Sequence, residues 1–402
     1  MQSELSELSH QAKEDGRAYA NKRWVYGRIF PYLQDQAFIS LVGPRGAGKT
    51  ILLKQLLAST SDGFYISLDT THLPGGLYET AKELQQSGVK RLLLDEIHLC
   101  PGFERELKKI SDFIPIQVLF TSSCALALEK SRYDLSRRVR QMRILPFSFA
   151  EFVFFERGER LPLLKVDELM DLSRCRQVYG SALHHEPLFE QYLQGRNYPF
   201  TLRNHKPKAM FESILQTVLQ KDLLMTGEIR AEEIPVIEQM VRFIGLSRAE
   251  DMSYSSIAKN LGLTKYKVIR YCEALEKAFI LRRVLPAGTN VLREPKILLA
   301  LPYRLNYRAM GECIGDLRED FFAEAAAIGD WPLQYFKGQE GQKMPDYLLD
   351  KLVIEVGGIS KGPRQLRGAE GLDKLVFTHP GKMDATHRPL FFAGLIEART
   401  AD

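Results

Sequence analysis

Residues 43–50, GPRGAGKT, have the composition and spacing of a loop that binds phosphate groups. The glycines let the backbone curl so that several N–H groups point at one phosphate, and the positive end of the following helix faces the same place. Lys49 is expected to contact the β- and γ-phosphates of a nucleotide, and the Thr50 hydroxyl to ligate Mg²⁺. The loop therefore predicts a site for ATP with Mg²⁺. The expected nucleotide-binding residues are Gly43, Pro44, Arg45, Gly46, Ala47, Gly48, Lys49 and Thr50.

An acidic pair, Asp95 and Glu96, ends the apolar run LLLDE at residues 92–96. An open α/β sheet places groups that contact ligands at the carboxyl ends of its strands. Asp95 is expected to hold Mg²⁺ directly or through water, and Glu96 to act as the general base that polarises the attacking water. Acidic pairs are common, but one that ends an apolar strand downstream of a phosphate-binding loop predicts ATP hydrolysis.

Another apolar run, IQVLFTSS, ends in the three hydroxyl side chains of Thr121, Ser122 and Ser123. In ATPases of this construction, a polar residue on this strand orients the water beside the γ-phosphate. The same hydroxyls also fit the amino-terminal cap of a following helix. Both interpretations stay open.

The basic segment LSRRVRQMR, at residues 135–143, is a natural source of an arginine that stabilises charge on the phosphoryl group being transferred. Arg138 is the preferred candidate for such an arginine finger, followed by Arg137 and Arg140. A solvated basic face is the alternative for most of these arginines.

These residues lie in a region where strand and helix patterns alternate as far as residue 150. Continuous apolar strands separated by helices predict a parallel sheet that is covered on both faces. Residues 1–35 predict one or two amphipathic helices that precede this sheet. The fold class is therefore α/β, with the amino-terminal helices and the nucleotide-binding core in residues 1–150.

Beyond residue 150 the pattern changes. Residues 151–235 predict helices without a clear strand, as expected for a helical lid. Residues 236–300 predict a helix, a turn, a second helix and a β-hairpin, which is the order of a winged helix. Short strands return in residues 301–402 and predict a further α/β domain.

The composition limits the class of protein. The 402 residues carry a net charge of +5 and have a pI near 8.8, a slight lean towards an acidic partner such as nucleic acid. The five cysteines are scattered without the spacing of metal ligands or of a disulfide framework, so we expect reduced thiols. Apolar runs fall short of the roughly 20 residues that span a membrane, and the amino terminus is polar. We expect a cytoplasmic protein without a membrane segment.

Four segments, GPRGAGKT, LDEIHLCPGFERELK, FTSS and DLSRRVRQMRILPFSFAEF, follow in order the motifs of one family. The chain resembles prokaryotic AAA-superfamily ATPases that carry a winged helix and a carboxy-terminal domain of restriction-endonuclease-like fold, the PD-(D/E)xK type. The resemblance implies a P-loop AAA-type core in which Ser123 orients the water, although Ser122 replaces the family's glycine. It implies that Arg138 is the finger, although Arg137 replaces another family glycine. Such ATPases insert the finger into a neighbouring subunit, so a homo-oligomer is implied, with a hexameric ring favoured.

The second helix of the winged-helix segment is expected to present cations on its outer face. Such modules bind duplex DNA, and most of these cations would touch phosphates with little sequence preference. Contact with a protein partner and simple solvation of the basic face are the alternatives. The expected DNA contacts are Lys265, Lys267, Arg270 and Tyr271 on the helix and Arg282 and Arg283 on the following strand.

In the last domain, FFAEAAA, MPDYLLD and LVIEVGG resemble the carboxylate positions of the nuclease fold. The matching residues, Glu324, Asp346 and Glu355, would jointly hold Mg²⁺ and activate water for phosphodiester cleavage. Gly357 occupies the position of the family's lysine; Lys361, with Gln365 alongside, is the nearest substitute. We therefore expect cleavage to be weak or absent.

Together these features predict an ATP-hydrolysing AAA-type ATPase that forms an oligomeric ring and binds duplex or branched DNA in recombination or repair. One alternative is a regulatory or defence switch in which ATP controls the binding of protein partners. Another is an ATPase that also cuts DNA.

Overall fold

The protein is described here by a computed structural model. The chain divides into two compact units, residues 1–145 and residues 146–402. The structure describes residues 2–35, 37–123, 138–203, 207–225, 227–288, 294–336, 345–362 and 371–399.

The first unit is built on a five-stranded sheet in the order β2-β3-β4-β1-β5, and each neighbouring pair is parallel. The predicted parallel α/β sheet is confirmed. Because β4 lies between β1 and β3, the carboxyl ends of these three strands meet at one edge of the sheet. The strands are β1 (Phe38–Val42), β2 (Gly63–Ser67), β3 (Arg91–Asp95), β4 (Gln117–Ser122) and β5 (Val139–Arg143).

Helices cover both faces of this sheet, and alternate strand residues supply the two cores. Leu93 packs in the cluster beneath α1 and α3, whereas Leu92 and Leu94 pack in the cluster beneath α4 and α5. The helical prediction for the amino terminus is confirmed by α1 and α2. The helices are α1 (Gln2–Ala18), α2 (Trp24–Ile29), α3 (Lys49–Ala58), α4 (Gly76–Gln86) and α5 (Phe103–Phe113).

The second unit contains a mixed sheet in the order β12-β11-β10-β9-β8-β6-β7. The antiparallel pair β6 and β7 is the predicted hairpin, but β6 also pairs in parallel with β8. The strands expected in residues 236–300 and those expected in residues 301–402 therefore share one sheet. These strands are β6 (Leu281–Pro286), β7 (Lys296–Leu299), β8 (Leu333–Tyr335), β9 (Tyr347–Leu349), β10 (Leu352–Gly357), β11 (Asp373–Thr378) and β12 (His387–Pro389).

Helices precede and flank this sheet, and α12 and α13 form the predicted helix-turn-helix. The turn passes through Gly262 with a φ of 65°, and the Thr264 hydroxyl then caps α13 by accepting from the backbone N–H of Lys267. The helices are α6 (Phe149–Arg157), α7 (Leu172–Ala182), α8 (Glu186–Gln191), α9 (Lys208–Thr217), α10 (Leu223–Met225), α11 (Ile234–Leu246), α12 (Tyr254–Leu261), α13 (Lys265–Lys277) and α14 (Met310–Ile328). Among the described residues, no helix combines the length and the apolarity that crossing a membrane requires.

Candidate functional site

The loop of residues 43–50 joins the carboxyl end of β1 to the start of α3. Two of its glycines have backbone conformations that residues with side chains rarely adopt, with φ of 81° at Gly46 and 86° at Gly48. Gly43 is needed for another reason, because a Cβ atom there would lie 1.9 Å from the carbonyl oxygen of Ile144. The path of the loop thus depends on glycine even before a phosphate is considered.

Lys49, the first residue of α3, is only 5% exposed. Its ammonium donates hydrogen bonds to the carbonyl oxygens of Gly43, at 2.8 Å, and Pro44, at 3.0 Å. These bonds hold the charge inside the loop, where the amino-terminal end of α3 adds its own partial positive charge. Thr50 follows in the first turn of α3. This end of the sheet therefore suits an anionic ligand.

Asp95 ends β3 and is buried. One of its carboxylate oxygens accepts a hydrogen bond from the Thr121 hydroxyl at 2.5 Å, and the other accepts one from the Tyr65 hydroxyl at 3.0 Å. Burial and then the nearby Asp95 charge raise the pKa of Tyr65 far above its ordinary value, so this hydroxyl stays protonated as a donor. The carboxylate is thereby held in one orientation. The sequence analysis did not identify Tyr65 as a site residue. The available signal was its position on β2, the strand next to β3.

Thr121 connects both members of the acidic pair. Besides donating to Asp95, its hydroxyl oxygen accepts a hydrogen bond from the backbone N–H of Glu96 at 2.8 Å. Glu96 has a φ of 53°, which is uncommon for a residue with a side chain, and this bond helps to hold it there. Thr121 thus positions the acidic pair, a role that neither interpretation of the hydroxyl cluster included.

The His98 side chain is 4% exposed and lies between the candidate base and Ser123. Its Nδ1 atom lies 3.3 Å from Glu96 Oε2, and its Nε2 atom lies 3.4 Å from the Ser123 hydroxyl oxygen. The residue expected to polarise water and the residue expected to orient it therefore contact one imidazole. Sequence reasoning missed His98, although it stands two residues after Glu96. The helix-cap interpretation of Ser123 concerns residues 124–137, which lie outside the described ranges.

The arginine-finger candidates lie on or before β5. Arg138 pairs with Asp112 at 3.0 Å, and its backbone carbonyl accepts from the N–H of Phe38 at the amino end of β1. It therefore lies at the edge of the sheet opposite the phosphate-binding loop, roughly 13 Å away along the five residues of β1. Arg140 places its guanidinium 3.9 Å from the centre of the Tyr32 ring, and Arg137 lies outside the described ranges.

On α13, the expected place of Tyr271 on the outer face is wrong. Tyr271 is 1% exposed, and its hydroxyl donates to Glu233 at 2.8 Å. It lies three residues after the buried Val268, on the same stripe of the helix. Arg270 forms an ion pair with the same carboxylate of Glu233.

Carboxylates also accompany most of the other expected DNA contacts. Lys265 pairs with Glu294 at 2.5 Å, and Arg283 pairs with Glu276 at 2.6 Å. Lys267 is exposed and makes no ion pair with a described residue. The positive face that was expected is therefore largely neutralised by neighbouring acids within the unit.

A second group of charges gathers around α14, β9 and β10. Glu319 accepts a hydrogen bond from the Tyr347 hydroxyl at 2.6 Å and pairs with Lys296. Burial alone would raise the pKa of Glu319, but the Lys296 charge lowers it below its ordinary value. Burial also raises the pKa of Asp346, and Glu319 and Glu355 raise it further, to about 7. Three carboxylates thus share a site where their charges repel each other.

This acidic group is not fully satisfied by hydrogen bonds. Glu355 is 1% exposed, and its Oε2 atom has no hydrogen-bond partner within the described ranges. The cost of an unpartnered buried oxygen and of mutual repulsion would be removed by a bound cation. Mg²⁺ prefers oxygen ligands of this kind, but the carboxylate oxygens of Glu319, Asp346 and Glu355 do not all lie within 4.8 Å of one another. Lys296 and Lys361 instead pair with Glu319 and Glu355.

Lys361 lies beside two of these carboxylates. A Cβ atom at Gly357 would lie 2.3 Å from Lys361 Cγ, so the stem of Lys361 already occupies the space above that glycine. The ammonium pairs with Glu355 and lies 3.9 Å from Asp346. Lys361 thus contacts the acidic group, and its role as a substitute for the family lysine stays a prediction. Gln365 lies outside the described ranges.

Glu324 does not join this group, and its expected place there is wrong. Its carboxylate is fully buried, accepts from the backbone N–H of Leu301 at 3.0 Å and lies 3.6 Å from Arg282. Burial raises the pKa of Glu324. Glu319 stands five residues earlier on the same helix, about 140° around its axis, and is the residue that faces the other carboxylates.

Family comparisons agree with the nucleotide site. Residues 35–153 match the family model described as an AAA domain, and residues 187–300 match one described as a domain of unknown function (DUF8612). The chain therefore carries an AAA-type P-loop ATPase domain. The uncharacterized protein MJ1637 of Methanocaldococcus jannaschii is 27% identical over 377 residues, which cover 84% of this chain and 80% of that protein.

Solved structures with a partial likeness include ATPases. The Walker-type ATPase PABY2304 of Pyrococcus abyssi is 16% identical with a TM-score of 0.41, covering 70% of this chain and 94% of that chain. The ORC1 protein of Aeropyrum pernix, solved in complex with DNA, is 14% identical with a TM-score of 0.30, covering 79% of this chain and 94% of that chain. Structural similarity at these TM-scores does not indicate function.

Proposed function

We propose that this AAA-type ATPase hydrolyses ATP at the loop of residues 43–50 and that hydrolysis acts on duplex or branched DNA. The hydrogen-bonded group of Asp95, Thr121 and Glu96 beside the loop is the observation that carries the proposal. A carboxylate held by two donors suits Mg²⁺, which when bound neutralises charge on the phosphates. Lys49 adds a second positive charge from inside the loop.

Glu96 takes the part of general base and polarises the attacking water. His98 acts as a positioning residue, because it contacts Glu96 and Ser123 at once. We expect Glu96→Gln to keep nucleotide binding but to lose at least about 100-fold in turnover. Glu83→Gln, an exposed change on α4, is the matched control. Turnover by Glu96→Gln at the parent rate would refute this assignment.

The position of Arg138 supports an oligomer. Arg138 lies at the amino ends of the strands, far from the loop at their carboxyl ends, so an arginine finger at this position would act on the site of a neighbouring subunit. We expect Lys49→Ala and Arg138→Ala proteins to be inactive separately and to recover turnover when mixed, since some interfaces then combine an intact loop with an intact arginine. A mixture of Lys49→Ala with Glu96→Gln should not recover, because each subunit's own site is damaged. A hexameric ring remains the favoured form.

The helix-turn-helix with its adjoining strand pair supports DNA as the substrate. Because Lys265 and Arg270 on α13 already pair with acids, exposed Lys267 is the sharpest probe of DNA contact. We expect turnover to rise with linear, forked or four-way DNA and Lys267→Glu to reduce that rise. Lys259→Glu, also exposed but on α12, is the matched control. Turnover that ignores every DNA would favour the switch that binds protein partners.

Mg²⁺-dependent cleavage of DNA is a second candidate function, favoured by the placement of Lys361 against Glu355 and Asp346. A cation held there would lower the pKa of a bound water, and Lys361 would stabilise negative charge on the phosphate. We expect weak nicking of supercoiled DNA that Asp346→Asn abolishes and that the exposed control Asp350→Asn leaves unchanged. No nicking under Mg²⁺ or Mn²⁺ would leave this domain with a binding or structural role.

A further inference from the structure

Two histidines and a glutamate converge on the surface of the second unit. Glu159 follows Gly158, where α6 ends in a left-handed residue. His184 and His185 lie in the short turn between α7 and α8, 25 and 26 residues further along the chain. One ligand atom from each of the three side chains lies within 4.8 Å of the other two.

The spacing of these atoms is that of ligands around a small metal ion. Glu159 Oε2 lies 3.1 Å from His185 Nε2 and 3.4 Å from His184 Nε2. Zinc bonds of about 2.0–2.1 Å to nitrogen and oxygen, at tetrahedral angles, separate neighbouring ligand atoms by about 3.4 Å. The two imidazole rings lie 3.8 Å apart and direct their Nε2 atoms at the same oxygen. The three atoms therefore lie close enough together to share one ion.

Both rings must be neutral to ligate a metal. His185 is 3% exposed, whereas Glu159 and His184 are exposed to solvent. Arg157 adds positive charge nearby, and the Glu159 carboxylate offsets it. Hydrogen bonding of both rings to Glu159 without a metal is the alternative that an experiment must distinguish.

We propose that Glu159, His184 and His185 bind one Zn²⁺ ion per chain, with water in the fourth position. Two imidazoles and one carboxylate suit zinc, whereas Mg²⁺ prefers all-oxygen sites. The ion would join the end of α6 to the turn before α8. This site lies outside the nucleotide-binding residues, so it neither depends on ATP hydrolysis nor fails with it.

The test uses the full chain without a histidine tag, treated with a chelator and then titrated with Co²⁺ as a spectroscopic substitute for Zn²⁺. We expect visible absorption bands of a tetrahedral cobalt site, saturating at one ion per chain and displaced by Zn²⁺. His184→Ala and Glu159→Gln change exposed side chains, so folding should be kept. Loss of a residue that supports a metal ligand weakens metal binding by roughly 10–100-fold. Because these two variants remove ligands themselves, each should weaken cobalt binding by more than that.

Two controls separate this site from others. His72→Ala removes an exposed histidine of the first unit and should leave the cobalt bands unchanged. Asp346→Asn should also leave them unchanged, which excludes the carboxylate group as their source. The proposal is overturned if the bands are absent, if they survive His184→Ala and Glu159→Gln, or if they carry the intense charge-transfer absorption of a cysteine ligand. A Zn²⁺-dependent rise in the melting temperature, lost in the same two variants, is the second measurement.

Discussion

Replacing Thr121 by valine should damage both the stability and the activity of the first unit. Thr121 is fully buried, so the nearly isosteric change opens little space and removes only the hydroxyl. Its bond to the Asp95 carboxylate is charge-assisted, worth about 1.5–3 kcal/mol, and its bond from the Glu96 N–H is worth about 0.5–1.5 kcal/mol. We expect the free energy of unfolding to fall by about 3 kcal/mol, a change of roughly two decades in the folding equilibrium.

The two tryptophans of the chain allow this loss to be assigned to one unit. Trp24 lies on α2 of the first unit, and Trp331 lies in the second. In a Trp331→Phe background, fluorescence during urea unfolding therefore reports on the first unit alone. ATP turnover is measured on the same proteins and should fall at least about tenfold, because Asp95 and Glu96 lose their shared anchor.

Thr121→Ser is the matched control, since it keeps the oxygen and loses one methyl group. It should cost about 1 kcal/mol through the lost methyl and keep most of the turnover. If Thr121→Val unfolds within about 0.5 kcal/mol of its parent and hydrolyses ATP at the parent rate, Thr121 does not position the acidic pair.

Three further outcomes follow from single contacts. Gly43→Ala should abolish binding of a fluorescent ATP analogue, because its Cβ would lie 1.9 Å from the Ile144 carbonyl oxygen and force the loop to move. The pKa of Asp346 is raised from its ordinary value of 3.8 to about 7. Its contribution to the free energy of unfolding is therefore largest below pH 3.8 and is lost as the pH rises through 7. Between pH 3.8 and pH 7, the free energy of unfolding of Asp346→Asn should therefore rise relative to that of the parent by up to about 1.4 kcal/mol per pH unit. Urea unfolding in the presence of a chelator measures this difference. Gly357→Ala should displace Lys361, because its Cβ would lie 2.3 Å from Lys361 Cγ, and should abolish nicking in plasmid assays if the parent nicks; unchanged nicking would contradict the role of Lys361.

Local sequence was sufficient for the nucleotide site because its signals are local. The glycine spacing of residues 43–50, the apolar strand before Asp95 and the helix after Lys49 each act within a few residues. Period and apolarity likewise predicted the parallel sheet of the first unit and the helix-turn-helix of the second. These features follow from backbone geometry that neighbouring residues dictate.

Pairings between distant segments could not be predicted in this way. Tyr65 and Thr121 reach Asp95 only because their strands lie on either side of β3. Likewise, β6 pairs with β8 through Leu285 and Gln334, which are 49 residues apart in the sequence. Strand order is decided by the packing of whole elements, which no local pattern records.

The sequence by itself predicted where ATP should bind and which residue types would act there. Tertiary structure decided which face of each helix carries function. On α13, packing buries Tyr271. On α14, packing places Glu319, and not Glu324, near Asp346. Side chains project from a helix in all directions around its axis. The surface against which the helix packs decides which of these side chains are buried.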